Sequence, residues 1–141
     1  MYSIFKSYFD RYRVLNVFLL LLGVVIYVSA DWYWSNVCAV KGCPTGFIGA
    51  YLAPLREAGL VIAAVTFPFL FLPTTYFRTW IIWLGVPIAL YSLFVVLNID
   101  PNGSKMFNAT RHEVVNDMLY RWPTVTLIFI AWYWWRQQKQ K

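Results

Sequence analysis

The chain has 141 residues, room for one compact unit and not for two ordinary domains. Hydrophobic residues make up 60% of it and aromatic ones 21%, while only 13% are charged, against roughly 25% in soluble domains. So small a globule exposes much of its surface, and this composition cannot wet such an exterior; that excludes a soluble enzyme, a disordered tail and an ordinary DNA-binding domain, and makes lipid the expected solvent.

The net charge of +6 comes from 12 Lys and Arg against 6 Asp and Glu. On a soluble protein it would point to nucleic acid. Here Lys6, Arg11, Arg13, Arg78, Arg136, Lys139 and Lys141 flank apolar runs, where the positive-inside bias and anionic headgroups place cations, so the expected partner is the bilayer and no nucleic acid.

At the start of the chain, Ile4, Phe5, Tyr8, Phe9 and Tyr12 fall at helical spacing opposite Lys6, Asp10 and Arg13, which predicts a short helix lying in the interface. The first apolar run, residues 14–30, is free of charge between Arg13 and Asp31 and makes roughly 26 Å of helix, nearly a full hydrocarbon core. Its basic flank and Val28-Ser29-Ala30 also fit a signal peptide, but the expectation is an uncleaved span. The second run, 58–72, falls short alone. Extension back to about residue 48 completes it and brings Pro54, Arg56 and Glu57 into its outer part.

The third span is predicted over residues 79–98, with Pro87 in its middle. The fourth run, 123–135, is again too short; extension to 114–135 adds Asp117 and Arg121 and leaves Pro123 inside the helix as a kink. Before it, Asp100-Pro101-Asn102-Gly103 reads as a turn, and Thr110 with Glu113 as a capping box. Interior prolines, including Pro68, are tolerated in membrane spans and mark kinks more often than gates.

The expected architecture is therefore all-α: a four-helix transmembrane bundle over residues 1–141 with a short N-terminal interfacial helix. Counting cations on the two sides places both termini in the cytoplasm. Trp32 and Trp34 would then mark the outer interface and Trp132, Trp134 and Trp135 the inner one, as aromatic belts. The setting is a cell inner membrane of bacterial type, with the cysteine-containing loop outside.

Cys38 and Cys43 lie in the first outer loop, where an oxidising compartment favours a structural disulfide; free thiols and redox catalysis are the alternatives. Quinone-linked thiol oxidoreductases also have four spans, but they use a Cys-x-x-Cys pair and further cysteines, which this chain lacks. Two cysteines and the distant His112 do not make a zinc site, and neither metal nor cofactor is expected. His112 with Glu113 is a secondary candidate, as a pH-sensitive pair in a loop. Asn102 and Asn108 head glycosylation triplets that matter only where secretory proteins are glycosylated.

The charges near the outer ends of the second and fourth spans are the main candidate site. Arg56, Glu57, Asp117 and Arg121 should lie at similar depth, and charges at that depth need partners. Gly46, Ala50 and Ala53 share a face with Glu57, which favours close helix contact there, and Asp117 and Arg121 are adjacent on one face. The expected network has Glu57 meeting Arg121, with Arg56 and Asp117 nearby, serving either as a structural lock or as a vestibule for an ion, a small anion or a partner's side chain.

No nucleophile set, phosphate loop or paired-histidine helix accompanies it, so the leading expectation is a non-catalytic binding protein. This would be an accessory subunit of a membrane complex, or an immunity-type protein against a membrane-active toxin. Immunity proteins of pore-forming bacteriocins include small four-helix examples, a parallel of fold alone with no shared motif. The alternatives are a small oligomeric transporter or channel using the charged vestibule, and a thiol-redox or lipid-modifying membrane enzyme.

Overall fold

Lipid offers backbone amides no hydrogen-bond partner, so a chain this apolar must satisfy them internally. The computed structural model describes residues 10–43, 51–98 and 111–139, which are almost entirely helical, with no strand among them. The expected interfacial helix before Asp10, the Asp100–Gly103 turn, Thr110 of the capping box and Asn108 lie outside the described residues.

Helix α1 is Arg11–Lys41. Asp10 caps it, its carboxylate accepting the Tyr12 amide at 3.2 Å. It runs well past Ala30, because residues 24–41 contain neither Gly nor Pro, and the outer loop expected from Asp31 onward is helical instead. The helix widens into a π turn at Trp34–Cys38, where the Asn36 side chain donates to the Trp32 carbonyl at 3.0 Å. Gly42, at φ +74°, stops it, donating its amide to the Cys38 carbonyl at 3.0 Å.

Helix α2 is Ala53–Leu70, entered from the π-helical residues 51 and 52, with Pro54 at its second position and a tightened 3-10 turn at Phe67–Leu70 around Pro68. Helix α3 runs from Thr74–Trp80 through a π turn, Ile81–Gly85, into Val86–Asn98. It begins earlier than expected because Pro73, extended at ψ 143°, restarts the helix at once. The wide turn also accommodates Pro87, whose ring would otherwise press on the Trp83 carbonyl one turn back. Helix α4, Arg111–Gln138, is continuous through Pro123.

The helices alternate in direction. Tyr12 and Leu19 of α1, Val65 and Phe69 of α2, Tyr76, Phe77 and Trp80 of α3 and Phe129 and Tyr133 of α4 belong to one aromatic-rich cluster. Ala30, Cys38 and Leu52 form a second cluster at the opposite end. The start of α1 and the end of α4 therefore sit at the same end of the fold. In the first cluster the Phe69 ring lies 5.2 Å from Trp80 and 5.5 Å from Phe77, and Tyr76 meets Tyr133 edge-on at 4.7 Å, a favoured aromatic geometry.

A close backbone contact joins α1 to α2. A Cβ placed on Gly23 would lie 2.7 Å from the Gly59 carbonyl oxygen, and one on Gly59 would lie 2.7 Å from both the Gly23 carbonyl oxygen and the Tyr27 nitrogen. The two backbones touch there, as small residues permit where dispersion rather than water drives helix association. Asn16, Gly23 and Ala30, seven residues apart, are the buried positions of α1 around this crossing.

Helices α1, α2 and α3 are each long and apolar enough to cross a membrane. With 28 residues, α4 has ample length, about 42 Å, but carries Glu113, Asp117, Arg121 and Arg136 along it.

Candidate functional site

The Gly42 turn brings Cys43 back against the last turn of α1, and a disulfide joins it to Cys38 with the Cα atoms 4.7 Å apart. Cys38 is buried beside Ala30 and Leu52, so the bond closes the end of α1 where it packs against the residue before α2. Among the described residues no group of three or more His, Cys, Asp or Glu is placed to hold a metal ion.

The four expected charges are distributed between two places. Arg56 of α2 reaches across to Asp31 of α1, with Nη1 to Oδ1 at 3.5 Å and both side chains partly exposed. Sequence reasoning placed Asp31 at the outer end of the first span without pairing it, although it comes within reach of Arg56 once α1 and α2 run antiparallel. Glu57, one residue on, is buried at 8% exposure, in keeping with the inward direction expected of it.

On α4, Arg121 lies 2.7 Å from Asp117, one turn earlier on the same helix, and their side chains are 70% and 51% exposed. The buried positions of α4 are Val115, Met118, Thr126 and Phe129, so this ion pair lies off the packed stripe. It borders a groove of about 600 Å³ between α3 and α4, lined also by Tyr91, Val95, Met118, Trp122 and Val125. The structure thus pairs Arg121 with Asp117 beside α3, where the sequence pointed to Glu57 on α2. His112 lies in the first turn of α4, and Glu113, also there and exposed, complements the positive end of the helix dipole.

Three polar residues that sequence reasoning passed over are almost fully enclosed: Asn16 at 2%, Thr66 at 2% and Thr126 at 1% exposure. Thr66 donates to the Ile62 carbonyl at 2.7 Å, which satisfies it within its own helix. The Asn16 Oδ1 and Thr126 Oγ1 atoms have no hydrogen-bond partner among the described residues. The signal for Asn16 was its seven-residue spacing from Gly23 and Ala30, which fixes the helix face it occupies.

No protein-family model, curated protein or solved structure matches this chain.

Proposed function

We propose that the chain is a single integral membrane unit of four crossing helices, and that it serves as a non-catalytic binding partner of another membrane protein. In this reading both termini are cytoplasmic, the disulfide-bonded turn lies outside a bacterial inner membrane, and the protein is an accessory subunit or an immunity-type protein.

One observation carries the reading: the outer half of α4 has an exposed polar face. Glu113, Asn116, Asp117, Tyr120, Arg121 and Thr124 are all exposed and fall at helical spacing. The apolar stretch 123–135 makes only about 20 Å of helix, so a crossing α4 must draw part of this face into the membrane. Charges facing hydrocarbon are costly, and a polar partner seated against them relieves the cost. The neighbouring α3 offers the apolar part of the same surface through Leu90, Tyr91 and Phe94, each about 60% exposed or more. Five cations and one carboxylate lie at the end that holds Arg11 and Arg136, against four of each at the other end, by position among the described residues. That asymmetry supports the assigned orientation.

The test is purification in mild detergent from the native host, with the wild type and Arg121→Gln side by side. The reading expects one protein in near-equal amount with the wild type and its loss from Arg121→Gln at unchanged folded yield. A clean homo-oligomer in its place turns the assignment to an oligomeric transporter or channel. A fall in folded yield alone makes the charges structural and defeats the proposal.

A further inference from the structure

The end of the fold that holds Arg11, Arg13, Arg78, Arg136 and Lys139 carries a built arrangement and not merely a scatter of cations. Tyr12 packs against the aromatic cluster at the meeting of α1, α2 and α3, which holds its ring in place. The Arg11 guanidinium carbon lies 5.2 Å from the centroid of that ring and the Arg78 guanidinium carbon 5.6 Å. Two cations from different helices therefore share one aromatic ring, with their carbons no more than about 11 Å apart. Arg13 joins them from the same turn of α1, donating to the Leu70 carbonyl at the end of α2 at 3.4 Å.

The nearest carboxylate is already engaged. Asp10 accepts a hydrogen bond from the Thr74 hydroxyl and another from the Tyr12 amide, which together with the nearby Arg11 and Arg78 hold its pKa below the usual carboxylate value. It makes no ion pair with Arg11 or Arg78 among the described residues. One negative charge beside the Arg11 and Arg78 guanidinium groups leaves that pair net positive, and the end carries four more cations than carboxylates by position among the described residues.

The apolar surface beside the cluster identifies the direction from which an anion arrives. Val14 and Phe18 follow Arg11 on the same stripe of α1 and are 50% and 59% exposed. A ligand whose phosphate meets the guanidinium groups while its hydrocarbon lies along Val14 and Phe18 matches both parts, and the planar guanidinium fork suits phosphate oxygens.

We infer that Arg11, Tyr12 and Arg78, with Arg13, form a binding site for the headgroup phosphate of an anionic phospholipid, its acyl chain running along the start of α1. The site lies at the opposite end of the fold from the α4 polar face and does not depend on it.

The test is native mass spectrometry of the full chain released from nanodiscs holding phosphatidylglycerol and phosphatidylcholine in equal amounts. The wild type retains phosphatidylglycerol in preference. Arg11→Gln with Arg78→Gln lowers that preference at least about thirtyfold, since each guanidinium lost removes a charge-assisted hydrogen bond to the phosphate that contributes at least about fivefold. Arg136→Gln with Lys139→Gln removes the same charge from the same end and leaves most of the preference. If the double variant does not fold, each single substitution is expected to give the fivefold loss. Equal losses in the two double variants would reduce the effect to general electrostatics and overturn the site. So would unchanged retention in the Arg11 and Arg78 variants, or displacement of the lipid by millimolar inorganic phosphate.

Discussion

The crossing of α1 over α2 gives the sharpest test of the packing. A methyl group added at Gly23 meets the Gly59 carbonyl oxygen at 2.7 Å and the Ala63 nitrogen at 2.8 Å, both backbone atoms that no side-chain rotation can move. Ordinary contact begins near 3.4 Å, so the helices must part by about 0.7 Å. A gap of that size forfeits roughly a quarter to a half of the attraction between each facing pair of atoms. Overpacking of this kind costs about 1 to 3 kcal/mol. Alanine is the better helix former by about 1 kcal/mol, so local propensity and tertiary contact predict opposite signs. We expect Gly23→Ala and Gly59→Ala each to destabilise the protein in SDS titrations from mild detergent followed by far-ultraviolet circular dichroism. Val25→Ala, on the exposed side of α1, should be nearly silent. The two glycine substitutions act across one crossing, so the double variant should lose less than the sum of the singles. Stabilisation by either alanine, or full additivity, would refute the close backbone contact.

Three further outcomes follow from the same geometry. Replacing Cys38 and Cys43 by Ser opens a short loop of sequence separation 5 and should cost about 2 kcal/mol in the same titration, with the effect confined to the ends of α1 and α2. The pKa of Asp10 is lowered in the folded state, chiefly by the Thr74 hydroxyl, so its contribution is fully present above the unfolded value and is lost as pH falls through the folded one. Stability measured between pH 5 and pH 2.5 should therefore decline less steeply in Asp10→Asn than in the wild type. Asn16→Leu keeps the side-chain shape while removing an enclosed amide whose Oδ1 has no hydrogen bond, and should stabilise the fold by about 1 to 3 kcal/mol; a loss of stability would mean that the amide is satisfied in the membrane.

Much of the fold was legible because lipid restricts the choices. A run such as 14–30 has few options besides a helix, and the structure adds Gly42 and Pro73 as the points where helices stop and restart. Boundaries shifted where the sequence lacks such punctuation: α1 continues to Lys41 because nothing before Gly42 breaks it. The pairing of charges was harder to read. Spacing along one helix correctly set Asp117 beside Arg121, since that relation is local. The partner of Arg56 depended on the rotation and register of α1 against α2, which Gly23 and Gly59 determine. Two glycines in apolar runs look unremarkable until the helices carrying them are brought together.

The distribution of the few charges then separates two kinds of surface. Away from the termini, Arg56 is matched with Asp31 and Arg121 with Asp117, so each pair contributes little field at a distance and matters mainly to whatever touches it. At the opposite end the arginines outnumber the carboxylates, and Arg11 and Arg78 rest on an aromatic ring instead of on acids. Neutral pairs suit a specific protein contact, where geometry selects the partner; surplus cations suit an anionic headgroup, which their charge attracts and the two guanidinium groups on the Tyr12 ring would position. With only 13% of its residues charged, the chain keeps neutral pairs on α4 and between α1 and α2 and gathers surplus cations where α1, α2 and α3 meet, and the two proposals rest on that division.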